Sequence, residues 1–188
     1  MSTDTSPIVL AFSGGLDTSF CVPWLKENYG RDVVTATVNT GGIDAAAVQE
    51  LEERAYALGA IEHVLIDARD DFFDSVIRHL IAGNVLRGNA YPLCVGAERG
   101  LQAERLAAVA NERGATTVAH GCTAAGNDQV RFEVALRTLS PGLEILAPVR
   151  DNSWVRDEQL AYLEKHLSLI HISEPTRRRD SSRMPSSA

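Results

Sequence analysis

Five short runs of β-branched and apolar residues recur along this chain, separated by longer stretches rich in Ala, Leu, Glu and Arg. That alternation leaves few folds open. The runs are residues 8–12, 33–38, 63–66, 116–120 and the weaker 143–146. The first, Ile8-Val9-Leu10-Ala11-Phe12, is apolar without a break, as a strand covered on both faces must be. Between the runs lie helical patterns. Residues 45–58 carry Val48, Leu51, Ala55 and Leu58 at helical spacing and end at Gly59. Residues 97–113 carry Leu101, Leu106, Val109 and Ala110 and stop at Gly114. Strand–helix–strand units connect through right-handed crossovers. The expected fold is α/β, a doubly wound, five-stranded parallel sheet with helices on both faces.

The chain has 188 residues, suited to one domain of ordinary size. Its formal charge of −7 argues against coating nucleic acid, and no apolar run reaches the ~20 residues that span a bilayer. Neither a nucleic acid nor a membrane is an expected partner. Cys21, Cys94 and Cys122 form no C-x-x-C pair, and residues 1–7 hold no charged-then-apolar leader, so a reduced, cytoplasmic setting is expected. Residues 1–7 are read as a disordered N-terminus and residues 8–166 as one domain. After His166 the composition shifts. Residues 167–188 contain six serines, four arginines and two prolines without periodicity, and read as disordered. The run Leu-Ser-Leu-Ile-His-Ile-Ser-Glu-Pro-Thr-Arg also resembles translated sequencing-adapter read-through, so this tail is expected to be non-native.

Only Lys26 and Lys165 among the 18 cations are lysines. An anionic ligand must therefore be met by Arg, metal or backbone amides. The first strand runs straight into Ser13-Gly14-Gly15-Leu16-Asp17-Thr18-Ser19, with a helical stretch behind it. Adjacent glycines let the backbone approach a ligand, the hydroxyls add donors, and a new helix presents free N–H groups. Asp17 is repulsive beside phosphate unless a cation such as Mg²⁺ lies between them. Alone, Ser-Gly-Gly is a common turn, and Asp17 or Thr18 could be a helix N-cap. Its place after a buried strand, at the carboxyl edge of the sheet, favours a ligand loop. Pro23 predicts a late start or a kink in the following helix. A second dense polar segment, residues 120–133, follows the fourth strand: His-Gly-Cys-Thr-Ala-Ala-Gly-Asn-Asp-Gln-Val-Arg-Phe-Glu. By itself it could be an Asn-Asp cap on a helix beginning near Gln129. Beside a phosphate loop on the same edge, a ligand role is the better reading.

Ala11-Phe12-Ser13-Gly14-Gly15-Leu16-Asp17-Thr18-Ser19 resembles the pyrophosphate loop of the N-type ATP pyrophosphatases, which share an adenine nucleotide α-hydrolase-like fold. With Trp24-Leu25-Lys26-Glu27 behind it, and with Gly-Asn-Asp-Gln-Val-Arg-Phe-Glu at 126–133, the chain is similar to the argininosuccinate synthases over residues 8–166. That resemblance implies ATP held by residues 11–19 (Ala11, Phe12, Ser13, Gly14, Gly15, Leu16, Asp17, Thr18, Ser19), by Val38 through its backbone beside adenine, and by Gly121. It implies citrulline held by Tyr91, Gly96, Asn127 and Arg131, and aspartate by Thr123, Asn127 and Asp128. Asp17 and Asp128 become the catalytic candidates, with Asp17 associated with Mg²⁺. Where many members have Gly and Lys, this chain has Ala124 and Ala125; where a serine often meets citrulline, it has Gly96. The implied activity is ATP-dependent ligation of citrulline and aspartate in arginine biosynthesis, by an enzyme that is a homotetramer at full length and whose C-terminal synthetase domain is missing here. Two other readings stand beside it: another ATP pyrophosphatase that thiolates tRNA or amidates a substrate, and a non-catalytic nucleotide-binding module. Cys94 and Cys122 read as buried, inert thiols, and His120 as a strand-end residue satisfied by backbone.

Overall fold

A computed structural model of the protein describes residues 4–88 and 90–166. In chain order the elements are β1 (Ile8–Ala11), α1 (Leu16–Tyr29), β2 (Val33–Asn39), α2 (Ala45–Ala57) and β3 (Glu62–Asp67). A helical passage follows, with α3 (Arg69–Phe72), a π-helical turn (Phe73–Ile77) and α4 (Arg78–Ala82). Next come a small antiparallel hairpin of β4 (Leu86–Arg87) and β5 (Tyr91–Pro92), then α5 (Cys94–Glu112), β6 (Thr117–Ala119) and α6 (Asp128–Leu139). The last elements are β7 (Glu144–Leu146), α7 (Pro148–Asp151) and α8 (Arg156–His166).

The five long-range strands form one sheet in the order β3-β2-β1-β6-β7, and every pairing is parallel. Side chains along β1 alternate between two apolar layers, as the strand period requires. Ile8 and Leu10 join Phe20, Leu25 and Val33 on the face covered by α1, α2 and α8. Val9 joins Val34, Leu106, Val118 and Leu136 on the face covered by α5 and α6. Helices on both faces bury the central strand completely, so its unbroken apolar run reflects burial rather than half-exposure. Because β1 has β2 on one side and β6 on the other, the order of connection reverses beside it. The loops after β1 and β6 therefore open a crevice at the carboxyl edge.

Two expectations are corrected. The helix behind the first loop starts directly at Leu16 and carries Pro23 in its interior, so the late start, one of the two outcomes expected there, does not occur. Proline there removes one intrahelical donor, and burial of Phe20, Val22, Pro23 and Leu25 compensates. The expected disorder of residues 1–7 does not extend to residues 4–7. There Arg31, 7% exposed, donates from Nε to the Ser6 carbonyl (2.7 Å) and from Nη1 to Thr117 Oγ1 (2.8 Å), and pairs with Asp4 at 3.3 Å. Residues 1–3 and the tail at 167–188 lie outside the described residues. No helix among the described residues is long and apolar enough to cross a membrane.

Candidate functional site

The loop after β1 is laced by its own hydroxyls. Ser13 N–H donates to Thr18 Oγ1 (3.3 Å), the Ser13 and Thr18 hydroxyls lie 3.2 Å apart, and Thr18 Oγ1 donates to the Gly15 carbonyl (3.3 Å). Gly14 adopts φ +72°, a conformation that favours glycine, and an added Cβ would sit 2.3 Å from Leu51 Cδ2 and displace that side-chain end. Its carbonyl accepts from Ser19 Oγ (3.4 Å) and from Arg54 Nη1 of α2. That carbonyl is thereby drawn toward α2. The N-terminus of α1 caps on Gly15 without a side-chain acceptor, so its first-turn amides have no intrahelical partner and suit an anion.

The second loop meets the first at Gly121. A Cβ there would lie 3.0 Å from Thr18 Cγ2, 3.1 Å from the Asp17 carbonyl carbon and 3.1 Å from the Thr18 nitrogen. Between the loops lies an open cavity of about 430 Å³. Ser13, Gly15, Asp17 and Thr18 form its polar end, while Ala36, Val38, Leu106 and Phe132 form an apolar end. Thr37 orients the first loop by donating to the Phe12 carbonyl.

A polar wall joins three elements across the cavity. Thr40 donates to Glu98 Oε1 (2.5 Å), and Gln102 Nε2 donates to the same oxygen (3.0 Å). Arg99 reaches Gln102 Oε1 (2.7 Å) and Asp128 Oδ2 (3.3 Å), and Arg131 reaches Asp128 Oδ1 (3.1 Å). Asp128 thus holds two guanidinium groups in place, and the trio keeps a net positive charge suited to a carboxylate or phosphate. Glu98 and Gln102 were not singled out from sequence. Their four-residue spacing on α5 is a signal, because it puts two polar groups on one helix face amid apolar neighbours.

Of the residues predicted from sequence, the cavity wall brings together Ala11, Phe12, Ser13, Gly15, Asp17, Thr18, Val38, Gly121 and Asp128. Leu16 instead packs against the core, and Ser19 is fully buried with its hydroxyl turned to Gly14. Tyr91, in β5, is half-exposed at 53%. Thr123, Ala124, Ala125 and Asn127 are exposed on the second loop, and Asn127 caps α6 without a side-chain bond. Gly96 lies under the Arg131 guanidinium, whose carbon would be 3.5 Å from an added Cβ, so a serine would also fit there.

The cysteines are free; Cys21 is buried, while Cys94 and Cys122 are only half-buried. Burial pushes the Cys122 thiol up, chiefly by desolvation, so it stays protonated at neutral pH. Burial likewise holds the His120 imidazole below its ordinary value. Among the described residues no group of three or more His, Cys, Asp or Glu could cage a metal. Asp17, one carboxylate among hydroxyl and amide donors, fits a Mg²⁺ carried mainly by phosphate oxygens and water.

The profile of the arginosuccinate synthase N-terminal HUP domain matches residues 7–168. An argininosuccinate synthase from Lactococcus lactis subsp. cremoris is 43% identical over 159 residues, which cover 85% of this chain and 39% of that protein. Two solved structures share the fold at 17% identity. The NMN synthetase from Francisella tularensis has a TM-score of 0.58 over 87% of this chain and 62% of its own. A predicted subunit of tRNA methyltransferase from Methanocaldococcus jannaschii has 0.54 over 85% and 76%. This chain belongs to the argininosuccinate synthase family and corresponds to its N-terminal HUP domain.

Proposed function

We propose that this chain carries the ATP-binding part of an enzyme that ligates citrulline to aspartate, forming argininosuccinate with release of AMP and pyrophosphate. The observation that carries the reading is the contact of the two motif loops at Gly121 and Thr18, which puts both on one cavity at the reversal point of the sheet. In this reading the apolar end takes adenine beside Val38. The polar end of the 13–19 loop takes the phosphates on the first-turn amides of α1, those of Leu16, Asp17 and Thr18, and on the hydroxyls of Ser13 and Thr18. Mg²⁺ would sit against Asp17 and offset negative charge as pyrophosphate departs.

The reaction proceeds in two steps. The ureido oxygen of citrulline attacks the α-phosphorus and pyrophosphate leaves, giving a citrullyl-adenylate. The aspartate amine then displaces AMP. Preorganised N–H donors favour the first step because charge develops on the leaving oxygen. Tyr91, Gly96, Asn127 and Arg131 are assigned to citrulline, and Thr123, Asn127 and Asp128 to aspartate. Asp128, an acceptor between two arginines, suits an ammonium group while its neighbours suit a carboxylate. The exposure of Tyr91, Thr123 and Asn127 agrees with a site completed by further sequence, since the chain spans 39% of the Lactococcus protein.

By itself the chain is expected to bind ATP weakly in the cytoplasm and to turn nothing over, whereas the full-length enzyme would be a homotetramer. Pyrophosphate release by the full-length protein tests the reading. Citrulline-dependent release supports it. Release with another acceptor instead points to a different ATP pyrophosphatase, and none with any acceptor points to a nucleotide-binding module. Measurable argininosuccinate formation by the 188-residue chain would overturn the claim that it lacks turnover.

A further inference from the structure

Four polar residues around the second loop have no place in the contacts assigned above: His120, Gln129, Glu133 and Arg150. The His120 ring is buried, 1% exposed, and stands edge-on to Phe132 at 5.6 Å and 73°. Its Nδ1 lies 3.3 Å from the Cys122 nitrogen. A backbone N–H can only donate, so Nδ1 is the acceptor and a neutral ring carries its proton on Nε2. Nε2 finds no hydrogen bond among the described residues, and Glu133 Oε1 lies 3.5 Å away. Glu133 is held in turn by Arg150 Nη1, and by Arg137 Nη2 at 3.4 Å. Arg150 Nη1 also donates to Gln129 Oε1 (3.3 Å), and Gln129 Nε2 donates to the Ala124 carbonyl (3.0 Å). Asp151 anchors Arg150 through Nε at 2.8 Å.

Arg150 therefore ties down both sides of the segment that carries Gly121 and Thr123. One route runs through Glu133 and His120 to the Cys122 amide. The other runs through Gln129 to Ala124. We propose that His120 is a positioning residue: its Nδ1, kept a bare acceptor by the Glu133 carboxylate facing Nε2, holds the Cys122 amide and so sets Gly121 against the phosphate loop. Gln129 and Glu133 then serve within the Gly-Asn-Asp-Gln-Val-Arg-Phe-Glu segment as tethers that fix the loop from behind, without touching ligand. The effect on nucleotide binding rests on the reading of the cavity as an ATP site.

Two substitutions separate the nitrogens. In His120→Asn the amide oxygen occupies the place of Nδ1 and accepts from Cys122; in His120→Gln the amide nitrogen occupies the place of Nε2 and leaves Cys122 without its acceptor. Dissociation constants for ATP with Mg²⁺, measured on the 188-residue chain, should rise about fivefold or more in His120→Gln. His120→Asn should recover most of that loss. Imidazole nitrogen NMR shifts of the unsubstituted protein should show a bare Nδ1 and a protonated Nε2. Amide exchange at Cys122 should be slow there and in His120→Asn, and fast in His120→Gln. A proton on Nδ1, or slow Cys122 exchange with unchanged affinity in His120→Gln, overturns the proposal. Absence of ATP binding in the unsubstituted chain overturns the nucleotide reading instead, and the tautomer and exchange results still decide the role of His120.

Discussion

Replacing Gly121 by alanine tests the closeness of the two loops. The added methyl would meet Thr18 Cγ2 at 3.0 Å, the Asp17 carbonyl carbon at 3.1 Å and the Thr18 nitrogen at 3.1 Å. Ordinary carbon contacts begin several tenths of an ångström further out. A rotamer change can relieve the first contact. The other two are with backbone at the start of α1, which is anchored by fully buried Ser19, Phe20 and Cys21, so the loops must separate. Overpacking of this kind costs about 1–3 kcal/mol. For a chain of this size the melting temperature should fall by about 2–4 °C per kcal/mol. The same separation pulls the Gly121 backbone from the phosphate loop, so ATP affinity should drop by about tenfold, or ~1.4 kcal/mol. Gly142→Ala is the control, because nothing lies within 4 Å of a Cβ there and its φ is not positive; its effect should stay within about 0.5 kcal/mol. Thermal unfolding and equilibrium ATP binding read both quantities. If Gly121→Ala matched the control in both, the described contact would be wrong.

Other perturbations reach different parts of the molecule. Arg54→Met removes the α2 donor to the Gly14 carbonyl and should weaken ATP binding about fivefold, measured by calorimetric titration, while Arg54→Lys restores part of it. Arg31→Met deprives Ser6 and buried Thr117 of a charged donor at the opposite edge of the sheet. It should destabilise the fold by roughly 2–3 kcal/mol in urea unfolding with ATP affinity per folded molecule unchanged. His63 and His120 are both held below the ordinary imidazole value, in each case chiefly by burial. Between that ordinary value, about 6.5, and their lower folded values, the unfolded chain binds more protons. Stability contributed by these rings is therefore full above about pH 6.5 and declines as pH falls through that window; a flat or rising melting temperature over the same descent would contradict it.

The strands could be read because burial on both faces forces continuous apolar sequence, as at Ile8 and Val33, and because glycine marks the ends of α2 and α5. The two loops assigned to ligand stood out because Gly14 and the polar run from His120 to Asp128 come just after such strands. The α3–α4 passage was not legible: Phe73 and Ile81 are exposed and Phe72 is its buried residue, so no apolar period survives. Arg54 and Arg150 were hidden for another reason. Each acts across the fold, on Gly14 and on Glu133, and nothing local in the sequence distinguishes them from solvated arginines. The hydroxyls of Thr18 and Ser19 look alike in sequence, yet one lines the cavity and the other is sealed in the core. Only the start and pitch of α1 decide which is which.

Hydrogen exchange of the 188-residue chain with and without ATP and Mg²⁺ tests the central claim most directly. ATP should slow exchange at residues 13–19 and at Gly121 and Cys122 together, because one ligand bridges both loops, while the Arg31 edge near Ser6 and Thr117 stays unchanged. Protection absent from both loops, or confined to a segment away from them, would contradict the assignment of this cavity to ATP.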